Sequence, residues 1–370
     1  MNNKEKLNNN SQRYKFISTN DGSVGLYNYI VDDIYHSIYG AREEAEDKFV
    51  RPLDFKNNFF NKDNLKILDI CYGIGYNSKA LLKKIIQTKY KGKVSLDIVE
   101  IDKELVLLSP FVKDGFFKLY PEISYLLLHS FEQKLVSNKS VYNDLYRVLT
   151  SDDNKKYIEP FYRPLIKKLK KRRYINTSRR TMKVFLHNIY YHCISQRNKK
   201  PYKCLKLNNF SIRTYFEDAR LVVQSLSNQY DIIFLDAFTP SKLPTLWSLE
   251  FFRELYRLAS DNCMLLTYSN SASVRHAMIE SGFTVGKLFD KCGRHCGTVA
   301  SKNPDLIKNK LDEYDLGLIK TNAGVYYRDK NLNQTPEEIL EEHKTRKLSS
   351  NLESSSHYIK RYKKELEHHA

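Results

Sequence analysis

At 370 residues with 41% hydrophobic content, the chain is long enough for a sizeable core and about two domains. No run approaches the ~18 apolar residues of a membrane span, and the polar opening MNNKEKLNNNSQRYKF has no secretory core. Six cysteines without a CxxC pair exclude a disulfide scaffold, so a reduced, soluble, cytoplasmic protein is expected. Lys and Arg number 61 against 43 Asp and Glu, a net charge of +18; 15 of the basic residues lie between Arg163 and Lys206, where no acid occurs. Without that stretch the balance is 46 to 43, only +3. One basic block on an otherwise balanced chain suits a phosphate backbone. Its densest part holds Lys167, Lys168, Lys170, Lys171, Arg172 and Arg173, the candidate polyanion contacts, and Tyr190, Tyr191 and Tyr202 interleave with the charge.

Residues 1–13 are polar and expected to be disordered. From Tyr14 to Pro52 the pattern is mixed, with a short helix expected over Ala41–Val50. Regular alternation then begins. Lys66–Cys71 reads as a strand ending in the glycine turn CYGIGYN, followed by a helix over Ser78–Ile86 and a second strand over Val94–Glu100. Phe210–Phe216 is the third strand, and the almost wholly apolar Tyr230–Leu235 is a fourth, buried on both faces. A helix over Trp247–Ala259, a strand over Cys263–Tyr268 and a helix over Ala272–Ser281 come next. Phe283–Phe289 and Thr298–Ala300 make a closing hairpin. Such alternation means an α/β fold with a mostly parallel, doubly wound, Rossmann-like sheet. The expected domain spans residues 14–104, including an N-terminal extension, and 210–302. Residues 105–209 are then a basic helical insertion, and 303–370 a polar C-terminal extension with a helix start at Thr335.

In doubly wound sheets ligands sit outside the carboxyl ends of the strands. Gly73, Gly75, Glu100, Asp218 and Asp236 all fall there. The pattern D-x-x-x-G-x-G at Asp69, Gly73 and Gly75 lets backbone approach a nucleoside, but a dinucleotide fingerprint wants a third glycine where Ser78 stands. Glu100 is placed to accept from both ribose hydroxyls, and Asp218 from an adenine amino group. Together they indicate an adenosyl cofactor, and the missing glycine favours S-adenosylmethionine over NAD. Asp236 opens the segment DAFTPSKLPTLW. With an ordinary pKa of ~3.9 it is a better orienter of an acceptor amine than a base. Phe238 can stack on a flat substrate, and Pro240 and Lys242 lie in the same candidate substrate segment. His295 between Cys292 and Cys296 lacks the paired spacing of a zinc site, so no metal is expected.

The segment YDIIFLDAFTPSKLPTLW resembles that of the MnmC-type tRNA methyltransferases, in the stand-alone form without the flavin oxidoreductase domain. TNDGSVGLYN (19–28), DIYHSIYGAREEAEDKFV (33–50), ILDICYGIGYNS (67–78), YFEDAR (215–220) and GLIKTNAGVYYRD (317–329) also look like that family's blocks. The resemblance implies S-adenosylmethionine-dependent methylation of the aminomethyl group of 5-aminomethyl(-2-thio)uridine at the tRNA wobble position. It implies that Asp236 lies at the acceptor amine, that Gly73, Gly75, Glu100 and Asp218 hold the cofactor, and that Tyr35 and His36 close over it. Two departures stand out. Cys71 occupies the place of a first glycine, and Thr245-Leu246 replaces an acid-bearing dipeptide. The long insertion is not covered by the resemblance. A polyamine aminopropyltransferase would share the fold but needs acidic pockets, which suit a +18 chain poorly. A non-enzymatic RNA-binding module would have no use for the Gly73, Gly75, Glu100 and Asp236 set.

Overall fold

Residues 14–35 form a small antiparallel sheet where the sequence pattern is merely mixed: β1 (Tyr14–Ser18), β2 (Val24–Asn28) and β3 (Asp33–Tyr35). Strands of three to five residues are too short to display a period of two. The computed structural model describes residues 14–35, 40–116, 119–120, 122–124, 126–128, 130, 149–152, 154–164, 166–167 and 209–369. The chain gathers into two units. Met1–Ala45, Gly73–Lys83 and Lys103–Leu205 make the first; Glu46–Tyr72, Lys84–Asp102 and Lys206–Ala370 make the second.

After β3 come α1 (Ala41–Glu44), a π-helical turn over Ala45–Val50 and α2 (Phe55–Asn58). The second unit is then built on a seven-stranded sheet. Its strands are β4 (Asn64–Ile70), β5 (Lys93–Val99), β6 (Phe210–Tyr215), β7 (Tyr230–Leu235), β8 (Ala259–Thr267), β9 (Thr284–Phe289) and β10 (His295–Ser301). The order is β6-β5-β4-β7-β8-β10-β9; the first five run parallel, and β10 is antiparallel to both its neighbours. This is the Rossmann-like α/β sheet expected from the alternation, with each strand within a few residues of its predicted range. All six residues of β7 are buried, as its apolar run requires.

Helices among the described residues include α3 (Tyr76–Gln87), α4 (Lys103–Leu108), α5 (Ala219–Ser225), α6 (Leu249–Leu258), α7 (Ala272–Glu280), α8 (Glu313–Ile319), α9 (Pro336–Ser349) and α10 (Ser355–His369). Helix α6 begins two residues later than the sequence suggests. Ser248 caps it by accepting from the Phe251 amide at 3.2 Å, and Pro244–Trp247 forms a separate 3₁₀ turn. The α6 residues Phe252, Leu255 and Leu258 are buried in the core with Leu68, Ile233 and Val274. The polar stretch beyond Asn303 also reaches that core, through Tyr327, Leu332 and Ile339. Helix α9 starts in a capping box between Thr335 and Glu338.

Each unit holds a buried charge with a partner of opposite sign. In the second, Asp97 takes two bonds from Arg213, at 2.7 and 2.6 Å, and one from the Tyr230 hydroxyl at 2.5 Å, tying β5, β6 and β7 together. In the first, the Tyr76 hydroxyl donates to the Val24 carbonyl at 2.9 Å and accepts from the Val24 amide at 3.0 Å. Lys79 is buried against Asp114 at 2.5 Å and the Ser109 carbonyl at 2.7 Å. Burial lowers the Lys79 pKa against the opposing pull of Asp114. Among the described residues no helix is long and apolar enough to cross a membrane.

Lys79→Met leaves Asp114 charged and buried, and should cost about 3–5 kcal/mol in chemical denaturation. Lys79→Met combined with Asp114→Leu should recover most of that loss. A double variant no more stable than the single one would mean that shape, not charge, holds this contact.

Candidate active site at the carboxyl edge of the sheet

The strand registers set the geometry. Tyr215 pairs with Val99, Val99 with Ile70, Ile70 with Leu235 and Leu235 with Thr267, so five parallel strands end level. The residues that follow, Phe216, Glu100, Cys71, Asp236 and Tyr268, therefore form one row along the edge. Backbone bonds extend the pairing into it. The Glu100 amide donates to Tyr215 at 3.0 Å, the Cys71 amide to Val99 at 3.0 Å and the Asp236 amide to Ile70 at 3.2 Å. Glu100 and Asp236 thus flank Cys71, two strand spacings or about 10 Å apart across the sheet. Successive strands are added on one side from β4 to β6 and on the other from β7 to β8, so the sheet order reverses between β4 and β7, its topological switch point.

Each side chain in the row is held in a distinct way. Glu100 is largely buried, and its Oε1 accepts from the Asp102 amide at 2.9 Å. Asp236 is half-buried, and the loop it opens is fixed from below. The Trp247 indole N–H donates to the Phe238 carbonyl at 2.8 Å, and the Tyr268 hydroxyl donates to the Ala237 carbonyl at 2.9 Å. The two rings meet edge to face at 6.1 Å. Sequence reasoning took neither Trp247 nor Tyr268 as a site residue; the signal for Tyr268 is its place directly after a parallel strand. Phe238 and Pro240 are half-buried, and Lys242 is exposed. Thr245 and Leu246 are buried inside the 3₁₀ turn. Asp218 caps α5 and accepts from Arg220, so it sits beyond β6 as expected but within a network.

Cys71 takes a left-handed backbone conformation, φ 62°. The chain keeps the glycine-type turn there and carries a Cβ through it, at a usual cost of about 1–2 kcal/mol. Burial raises the thiol pKa well above its ordinary value, and the carboxylates of Glu100, Asp236, Asp69 and Asp218 push the same way. That negative potential fits a cation, and S-adenosylmethionine carries one in its sulfonium; an anionic dinucleotide would be disfavoured.

In the first unit Gly73 and Gly75 have φ of +55° and +81°, conformations that favour glycine. A Cβ on Gly73 would meet only the Tyr35 ring, at 3.5 Å. The Ile74 carbonyl between them accepts from the Ser109 hydroxyl at 2.8 Å. Lys167 is exposed. His36, Lys168, Lys170, Lys171, Arg172 and Arg173 lie outside the described residues. Among the described residues no group of His, Cys, Asp or Glu is arranged to hold a metal ion.

The family of S-adenosyl-L-methionine-dependent methyltransferases matches residues 157–303, which include β6, β7 and the Asp236 loop. The chain is a methyltransferase of the S-adenosyl-L-methionine-dependent kind. Its fold is similar to that of MnmC2 from Aquifex aeolicus, with a TM-score of 0.60 at 22% identity over 92% of this chain and 87% of that one. An uncharacterised protein of Methanocaldococcus jannaschii is 27% identical over 91% of this methyltransferase and 73% of its own length. The tRNA 5-methylaminomethyl-2-thiouridine biosynthesis bifunctional protein MnmC of Burkholderia vietnamiensis is 36% identical over 87 residues. That match takes in 24% of this chain and 13% of the bifunctional protein.

The Cys71 thiol should resist iodoacetamide at pH 8 while the exposed Cys292 reacts. Its protection should ease only above the ordinary thiol range of about 8.5. Cys71→Gly removes the strained Cβ and should hold stability within about 1 kcal/mol in denaturant titration. A larger loss would mean that packing of the thiol outweighs the strain.

Proposed function

We propose that this methyltransferase acts on the wobble uridine of tRNA, converting the aminomethyl group of 5-aminomethyl(-2-thio)uridine to methylaminomethyl. The observation that carries the reading is Asp236, at the switch point and at the head of a loop pinned by Trp247 and Tyr268. The likeness of the chain to MnmC sequences supports the choice of substrate. When bound, S-adenosylmethionine supplies a methyl group made electrophilic by its sulfonium.

The protein's own residues supply placement. Glu100, oriented through the bond to its Oε1, presents its carboxylate to the ribose hydroxyls. Gly73 and Gly75 allow close approach of backbone to a nucleoside, and Tyr35 beside Gly73 covers that turn. Asp236 accepts from the N–H groups of a neutral acceptor amine, so that the nitrogen lone pair faces the methyl carbon. A protonated amine has no such lone pair and is repelled by a sulfonium. Half-exposure of Asp236 leaves the departing proton a path to water. Phe238 offers a ring face to the uracil, with Pro240 and Lys242 beside it in the loop. The basic block between Arg163 and Lys206 suits the tRNA backbone, and the cytoplasm is where that substrate is found.

Incubation with labelled S-adenosylmethionine and tRNA carrying 5-aminomethyluridine should yield labelled 5-methylaminomethyluridine on nucleoside analysis. Asp236→Asn should lower transfer by about 100-fold, with cofactor affinity little changed. Lost cofactor binding in that variant would move Asp236 out of the acceptor site. Replacing Lys167, Lys168, Lys170, Lys171, Arg172 and Arg173 with Gln should weaken tRNA binding. The slope of log affinity against log salt should flatten by about 0.7–0.9 per lost phosphate contact. An unchanged slope would remove the block from the tRNA interface.

A further inference from the structure

Two of the sequence blocks, YFEDAR and GLIKTNAGVYYRD, end in Arg220 and Asp329, residues that play no part in the chemistry derived above. These two ends meet. Arg220 Nη1 donates to Asp329 Oδ2 at 2.8 Å and to the Gln334 carbonyl at 2.8 Å. The other side of the guanidinium holds Asp218. Nη2 donates to Oδ2 at 2.8 Å, and Nε reaches both carboxylate oxygens at 3.2 Å. Asp329 has no exposed surface, and its Oδ1 accepts from the amides of Asn333 at 2.9 Å and Gln334 at 3.1 Å. Its own amide donates to Glu250 Oε2 at 2.7 Å. The chain is thus anchored to α6 on one side of Asp329 and turned back through Leu332, φ 53°, on the other.

Capping α5 needs only one oxygen of Asp218, and Oδ1 supplies it to the Arg220 amide at 2.9 Å. The guanidinium fork does something else. It fixes the plane of the carboxylate, as a lysine could not. A carboxylate has about four lone-pair positions. These contacts occupy the inner ones and the capping one, leaving the outer position of Oδ2 on a side chain that is still one-third exposed.

We propose that Arg220, held by the buried Asp329, is a positioning residue for nucleobase recognition: it aims the outer lone pair of Asp218 at the exocyclic amino group of the cofactor's adenine. This rests on Asp218 being the base contact. The C-terminal block, more than a hundred residues from β6 in sequence, then sets which base the cofactor site accepts.

The test is calorimetric binding of S-adenosylhomocysteine and of its inosine counterpart, in which an oxo group replaces the amino group, to the full chain. The parent protein should prefer the adenine form by at least about tenfold. Asp218→Ala should abolish that preference. Arg220→Met and Asp329→Asn should cut it to about two- to threefold, and Arg220→Lys should not restore it. A variant that only loosens the fold weakens both ligands alike and leaves the ratio intact. An undiminished ratio in Arg220→Met or in Asp329→Asn, alongside a lost ratio in Asp218→Ala, overturns the positioning role. An undiminished ratio in Asp218→Ala, or no preference in the parent, overturns the base contact itself.

Discussion

The level pairing of β4 with β5 on one side and β7 on the other is the constraint on which the candidate site depends. Parallel strands that end in register deliver their next residues to one line, so backbone register alone makes neighbours of Glu100, Cys71 and Asp236. A shift of one residue in β7 would turn Asp236 toward the opposite face of the sheet. The burial of all six β7 residues, five of them apolar, makes such a shift costly. Core packing and site geometry are therefore fixed by the same registers.

Electrostatics follows from that arrangement. Carboxylates gathered at the strand ends create a negative potential, which adds to burial in raising the Cys71 pKa. Such a site repels anions and favours a sulfonium. The fold offsets like-charge crowding by giving some acids partners of their own, as Arg220 does for Asp218. The backbone of the Asp236 loop is supported differently, by neutral donors from Trp247 and Tyr268 that hold its carbonyls. Those two bonds hold the backbone of the two residues that follow Asp236.

Much of the fold was legible because its signals are local. Apolar runs followed by glycine or acid marked the strands, and Thr335 marked the start of α9 by its capping chemistry. The β1–β3 sheet was not legible, since each strand shows only one or two turns of the pleat. The C-terminal stretch looked merely polar because only a few of its residues, Tyr327, Leu332 and Ile339 among them, enter the core. Three apolar positions scattered over a dozen residues carry no readable period.

Sequence alone determined which residues stand after which strand: Gly73 and Gly75 in the first turn, then Glu100, Asp218 and Asp236. Those assignments need only strand ends, and strand ends are written in consecutive residues. Tertiary structure decided what holds them. Trp247 and Tyr268 reach the Asp236 loop from a turn and from a neighbouring strand, and Asp329 reaches Arg220 from 109 residues away. The left-handed Cys71 likewise gives its amide hydrogen to the Val99 carbonyl across the sheet. Hydrogen bonds between distant segments leave no trace in spacing, because what they require is a direction in space, and only the folded chain supplies one.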